Sequence, residues 1–171
     1  MTWSASAIFR EWPKSVMGQG QTAAVLPAAY GGLGADTVKA ALFGTTASMT
    51  PDKDASLVTT GYNSAASQWV VANEKTGSSE WVAGGRTLAS KTLTTPSSGV
   101  FMFDAADLTG AASITMSGVA GCLVYDSTIT AGTGGIAAQG VCFNYFGGDQ
   151  SVTAGTFSVV FNASGVFRFT V

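Results

Sequence analysis

A chain of 171 residues has the length of one domain, and its 8 Lys+Arg against 10 Asp+Glu leave a formal net charge of −2. Charged side chains make up 11% of it, less than half the roughly 25% of an ordinary soluble chain, so much of the folded surface must be neutral Thr, Ser, Gly and Ala, a surface that tends to associate. With no His, a Ser-His-Asp triad, a Cys-His pair, a His-ligated metal and an imidazole proton shuttle are excluded. The cations are scattered from Arg10 to Arg168 without a run, which leaves no electrostatic footprint for DNA or RNA. No window of 18 uninterrupted apolar residues exists, so no membrane span is expected. The opening MTWSASAIFREWPK has no basic leading stretch, so no secretory signal is expected either.

Residues 1–36 read as an extended N-terminal arm. Trp3, Ile8, Phe9, Trp12, Val16 and Met17 stand as isolated apolar anchors, interrupted by Pro13, Pro27 and Gly18, Gly20, Gly31, Gly32 and Gly34. Residues 4–12 predict a short helix ended by Pro13. No stripe is long enough to bury these side chains among themselves. They must find partners on the body or on another subunit, and the expectation is a groove of a neighbouring subunit, each buried aromatic contributing roughly 1.5–3 kcal/mol before ordering costs.

Residues 37–171 read as a β-domain. Short runs rich in Val, Phe, Leu, Ile and Thr recur between Gly, Ser, Asp and Asn. TVKAALFG (37–44) sets Val38, Ala40 and Leu42 on one face. QWVVANE (68–74), EWVAGGRTLA (80–89) and GVFMFDA (99–105) follow, with Val100 to Phe103 apolar on both faces as in a doubly buried strand. SITMSGV (113–119) alternates Ile114 and Met116 against Thr115 and Ser117. GCLVYDST, GVCFNYFGG, GTFSVVFN and GVFRFTV complete the set, and Asn162-Ala-Ser-Gly165 predicts a tight turn that makes 155–171 a hairpin. The fold class expected is all-β, an antiparallel β-sandwich or barrel, with a jelly roll among the topologies.

Motifs with chemical content are few. TPDKDAS begins like a calcium loop at Asp52 and Asp54, but Leu57 and Asn63 stand where such a loop needs Gly and Glu, so it reads as a turn. GGLGAD and GTGGIAAQG lack dinucleotide or phosphate-loop spacing and read as loops. Cys122 and Cys142 each lie inside an apolar run and read as reduced, buried small hydrophobes, a cross-strand disulfide being the alternative. A glycoside hydrolase needs only two carboxylates. Glu74, Glu80, Asp104, Asp107, Asp126 and Asp149 are available, yet nothing in the sequence fixes a separation between any two, and turn carboxylates are the commoner role. Trp69, Trp81, Tyr125, Tyr145 and Phe146 make either a sugar-stacking platform or, more commonly for strand aromatics, core.

The runs VKAALFGTTASMTPDKDAS, ANEKTGSSEWVAGGRTLA, ITMSGVAGCLVYDST and FNYFGGDQSVTAGTFSVVFNASGVFRFTV resemble, in that order, a family of small tailed-bacteriophage virion proteins. The shared pieces are Thr50-Pro-Asp, Asn73-Glu74, Gly84-Gly85 with Thr87-Leu88, Tyr125-Asp-Ser-Thr128, Phe146-Gly-Gly-Asp149 and the terminal FNASGVFRFT. The resemblance covers residues 37–171 and leaves the arm outside it. It implies a structural protein of the head decoration, head fibre or minor tail type, with no assigned catalytic residues and no cofactor. The expectation is therefore a capsid decoration (cement) protein, made in the bacterial cytoplasm and carried on the capsid surface. It would bind the major capsid protein and other copies of itself, as a trimer at a local symmetry axis, and contact neither nucleic acid nor membrane. The alternatives are a head fibre or tail protein binding the host surface, a head–tail connector component, and a carboxylate-dependent glycan hydrolase.

Overall fold

A computed structural model describes residues 3–17, 30–46, 49–77, 80–110, 113–131 and 135–170. The chain is all-β, built from antiparallel sheets in a sandwich-like arrangement. In chain order the elements are β1 (Ala7–Ile8), α1 (Glu11–Met17), β2 (Val38–Gly44), β3 (Arg86–Thr87), β4 (Thr92–Ser97), β5 (Val100–Asp104), β6 (Leu108–Thr109), β7 (Ile114–Asp126), β8 (Gln139–Gly155), β9 (Ser158–Val159) and β10 (Phe167–Thr170). The largest sheet has the order β1-β8-β7-β2-β3, a second has β10-β5-β4, and β6 pairs with β9.

The frame is the β2-β7-β8 triplet. SITMSGV and GCLVYDST, which the sequence pattern separates, are one 13-residue strand, β7; GVCFNYFGG continues through SVTAG as the 17-residue β8. Their alternation is as expected where the sheet leaves the core, with Ile114 and Met116 buried and Thr115 and Ser117 exposed. Nearer the middle both faces are covered. β2 buries Ala41 and Phe43 as fully as Val38, Ala40 and Leu42, so the one-faced alternation expected there gives way to a two-faced strand. β5 departs in the opposite sense: Phe103 is buried but Phe101 is 37% exposed, so residues 100–103 are not covered on both sides.

Three further expectations are corrected. QWVVANE is not a strand; Trp69 turns into the core, Val71–Asn73 form a 3-10 turn, and Asn73 Nδ2 closes back on the carbonyl of Gln68 at 2.9 Å. Of EWVAGGRTLA, only Arg86–Thr87 join the sheet, beside Lys39 and Ala40. The Asn162–Gly165 turn forms, with Gly165 N donating to the Asn162 carbonyl at 2.7 Å, but its flanks do not pair with each other. β9 goes to β6 and β10 goes to β5, because Val159 and Phe167 are both buried against different partners. Gly165 sits at φ +80°, and an added Cβ would lie 2.5 Å from the Phe103 carbonyl, so the turn is fitted closely to β5.

The described part of residues 1–36 is not an extended arm. β1 pairs with the edge of β8, Ala7 opposite Phe143 and Ile8 opposite Cys142. Helix α1 begins at Glu11, later than the predicted 4–12, and Pro13 lies inside its first turn, where a backbone N–H has no helical partner to lose. Trp3 (4% exposed), Phe9 (0%) and Trp12 (4%) belong to this chain's own core. Trp69 centres the cluster they enter. Its ring lies 5.7 Å from Trp3, 6.0 Å from Phe9, 5.1 Å from Phe43 and 6.0 Å from Phe143, three of the four edge-to-face. Such pairs add roughly 0.5–1.5 kcal/mol each beyond the area they bury. Trp12 meets Phe167 edge-on at 5.8 Å, which ties α1 to the second sheet.

Candidate functional site

The anchors named from the sequence lie together but face inward. Trp3 donates its indole N–H to the Gly44 carbonyl at 3.2 Å, and Phe9 N donates to the Val141 carbonyl at 3.0 Å. Ile8 and Val16 are half-buried against the same core. Met17 closes α1 and its side chain lies outside the described residues, as do residues 18–29 of the arm. Arg10 fastens the outside of this segment: its N–H donates to the Lys53 carbonyl at 2.8 Å, and its guanidinium is 3.6 Å from Asp54. The groove expected on another subunit is supplied by the chain itself. TPDKDAS is a turn, Asp54 N donating to Asp52 Oδ1 at 2.8 Å, and it serves as the far wall of that seat.

Two strand glycines make room for these rings. A Cβ on Gly121 of β7 would lie 2.4 Å from Trp3 Cζ3, and one on Gly140 of β8 would lie 2.7 Å from Phe9 Cε2. Glycine inside a strand marks close approach of another group. The glycines are visible in the sequence, but only the structure shows that Trp3 and Phe9 fill the space beside them.

Four of the candidate carboxylates are taken up by local structure. Glu74 Oε2 accepts from the Tyr62 hydroxyl at 2.6 Å and from Gly84 N at 3.0 Å. Tyr62 stacks on Tyr125 with ring centroids 4.7 Å apart, and the Tyr125 hydroxyl donates to the Gly84 carbonyl at 2.7 Å. Burial raises Glu74 above the usual carboxylate range, and the donors from Tyr62 and Gly84 work against it. This constellation latches residues 61–74 to the 84–85 turn. Glu80 pairs with Arg86 at 3.7 Å, and Arg86 lies 5.2 Å from the centre of the Trp81 ring. Asp107 accepts from Phe161 N, and Asp149 accepts from the Thr45 hydroxyl. Asp126 is the exception. It is fully buried beside Asp36, an acid that the sequence pattern does not single out.

Trp69, Trp81 and Tyr125 are core, at 0%, 1% and 3% exposure, and so build no stacking platform. Cys122 and Cys142 are buried free thiols, offset along the β7–β8 ladder, Cys122 standing opposite Asn144 and Cys142 opposite Val124. Burial pushes the Cys122 thiol up to about 12 and raises Cys142 as well, which keeps both protonated and unreactive. Among the described residues no group of three or more His, Cys, Asp or Glu is placed to hold a metal ion, and no helix is long and apolar enough to cross a membrane.

Apart from the exposed charges around Arg10, Lys14, Lys53 and Asp54, two strand surfaces facing outward are nearly neutral. β4 is exposed along its whole length, TLTTPS, and forms one edge of its sheet. In that sheet Asp104 and Arg168 carry the charges, while Leu93 is 44% exposed and Phe101 lies 6.2 Å from Phe169. The outer half of β8, residues 147–155, carries one charge, Asp149. Comparison with protein-family models, with curated proteins and with solved structures found no match.

Proposed function

We propose that this chain is a structural protein of a tailed-bacteriophage virion, and specifically a capsid decoration protein that reinforces the shell. The observation that carries the reading is the exposed, almost uncharged strand surface of β4 and the outer half of β8, presented by a molecule with 7978 Å² of surface and a sequence holding 8 cationic and 10 acidic side chains, two of the acids, Asp36 and Asp126, being buried. Neutral Thr- and Ser-rich strands carry little like-charge repulsion to keep neighbours away and are suited to being covered by them. The resemblance of residues 37–171 to small virion proteins points the same way.

In this reading the contacts to the major capsid protein and to sister copies are made by the sheet surfaces rather than by the N-terminal aromatics, which are already buried within the subunit. Decoration stabilises by mass action: contacts available only on the assembled shell lower the free energy of that state against rupture, and symmetry multiplies the contribution of each copy. The test is copy number, read from a stained gel of purified particles of the phage that encodes the chain. Hundreds of copies per particle are expected. Six or twelve would move the chain to a connector or tail, and absence from the particle would remove the virion reading altogether.

A further inference from the structure

Asp36 and Asp126 are far apart in the chain and adjacent in the fold. Val38 stands opposite Asp126 in the β2–β7 ladder, Ser127 N donates to the Thr37 carbonyl at 2.9 Å, and Thr37 N donates to the Thr128 hydroxyl at 2.7 Å. This register sets the two carboxyl groups beside each other. Both are buried, Asp36 at 5% and Asp126 at 0% exposure. Two carboxylates cannot hydrogen-bond unless one carries a proton, since the ionised group only accepts.

The remaining contacts say where that proton sits. Both oxygens of Asp36 have donors: Gly31 N reaches its Oδ1 at 3.0 Å and Oδ2 at 2.9 Å, and Gly32 N reaches Oδ2 at 3.0 Å. Asp126 Oδ1 accepts from Thr128 N at 2.9 Å, but its Oδ2 has no donor among the described residues. An oxygen without a donor is the natural seat of a proton shared with Asp36. The other groups facing the pair are the Tyr30 phenol, pushed up by burial and by both carboxyls, and the Lys91 ammonium, which donates to the main-chain carbonyl of Asp36. Across the β7–β8 ladder Asp126 faces uncharged Gln139, whose Oε1 accepts from Ser15 of α1 at 3.4 Å. Among the described residues no cation sits on the side chains themselves.

We propose that Asp36 and Asp126 form a proton-sharing clasp that fastens residues 30–37 to the end of β7, closed when Asp126 is protonated and loosened when it is not. Burial, with Asp36 beside it, pushes Asp126 up to about 7 from an ordinary 3.8. The raised value fixes the sign. Between about pH 4 and about pH 7 the open form has released the proton and the closed form still holds it, so opening becomes easier as pH rises, by up to tenfold per unit, and levels off above about pH 7.

The readout is amide hydrogen exchange of Gly31 and Gly32, whose N–H groups lie on Asp36, corrected for the intrinsic rate at each pH. In the wild type their protection should fall several-fold or more between pH 5 and pH 7. In Asp126→Asn, whose amide donates to Asp36 at any pH, that dependence should vanish. Should the variant not fold, carbon-13 titration of the wild-type aspartate carboxyls answers the same question: one carboxyl titrating near neutral pH supports the clasp. Every aspartate titrating near the ordinary value of about 3.9, or protection of Gly31 and Gly32 that does not change with pH, overturns it.

Discussion

A chain beginning at residue 18 is expected not to fold. The deletion removes β1, α1 and three aromatic side chains that are at most 4% exposed: Trp3, Phe9 and Trp12. Truncating a buried Phe or Trp to Ala costs about 3–5 kcal/mol, and a whole domain is stable by about 5–15 kcal/mol. The three together are therefore comparable to the total, even before the edge of β8 loses its partner at Ala7 and Ile8 and is left open to aggregation. Circular dichroism and a one-dimensional proton spectrum provide the test: loss of the aromatic near-ultraviolet signal and of dispersed methyl resonances is the expected result. A shortened chain that unfolds at the same denaturant concentration as the full one would return the N-terminal segment to the role of a free arm seeking another subunit.

The second large effect is expected at Gly121. An alanine Cβ there would stand 2.3 Å from the Asn144 carbonyl oxygen and 2.4 Å from the Trp3 ring, so both the cross-strand spacing and the indole must shift. Overpacking of this kind costs about 1–3 kcal/mol and sometimes more. Here the upper end is expected, because one of the two obstacles is backbone. Gly34→Ala is the control. Its Cβ would meet nothing closer than Leu93 Cδ1 at 3.8 Å, and a change within about 0.5 kcal/mol is expected. Urea midpoints of the two variants, measured against the wild type, test the difference. Equal midpoints would mean that Trp3 does not occupy the hollow over Gly121.

The β character of the body was legible because side-chain alternation is a local signal, and Ile114, Thr115, Met116 and Ser117 display it without help from the rest of the chain. Less legible was where one strand ends and the next begins. The Val119–Gly121 junction and Gly147-Gly148 read as breaks, yet β7 runs through the first by a register shift and β8 through the second by positive φ angles, so glycine here marks irregular pairing within a strand rather than a turn between strands. The N-terminal anchors do need burial, as their size and spacing imply. Their host differs from the expected one, because the seats for Trp3 and Phe9 are two glycines more than a hundred residues downstream, and no local pattern links a ring to the hollow that receives it. The buried carboxyl pair escapes sequence reasoning for the same cause. Asp126 sits at the end of an apolar run, where a solvated turn acid is the usual occupant, and only the antiparallel alignment of β2 with β7 carries Asp36 to it.

The proposed function requires a capsid to cover the sheet surfaces that carry few charges. Cosedimentation of the purified protein with expanded shells that lack it tests that most directly, at low salt and again at high salt. Saturable binding that survives high salt is the predicted result, because contacts between neutral strands are little affected by ionic screening. Failure to bind shells at any salt, from a protein that stays monomeric at high concentration, would contradict it.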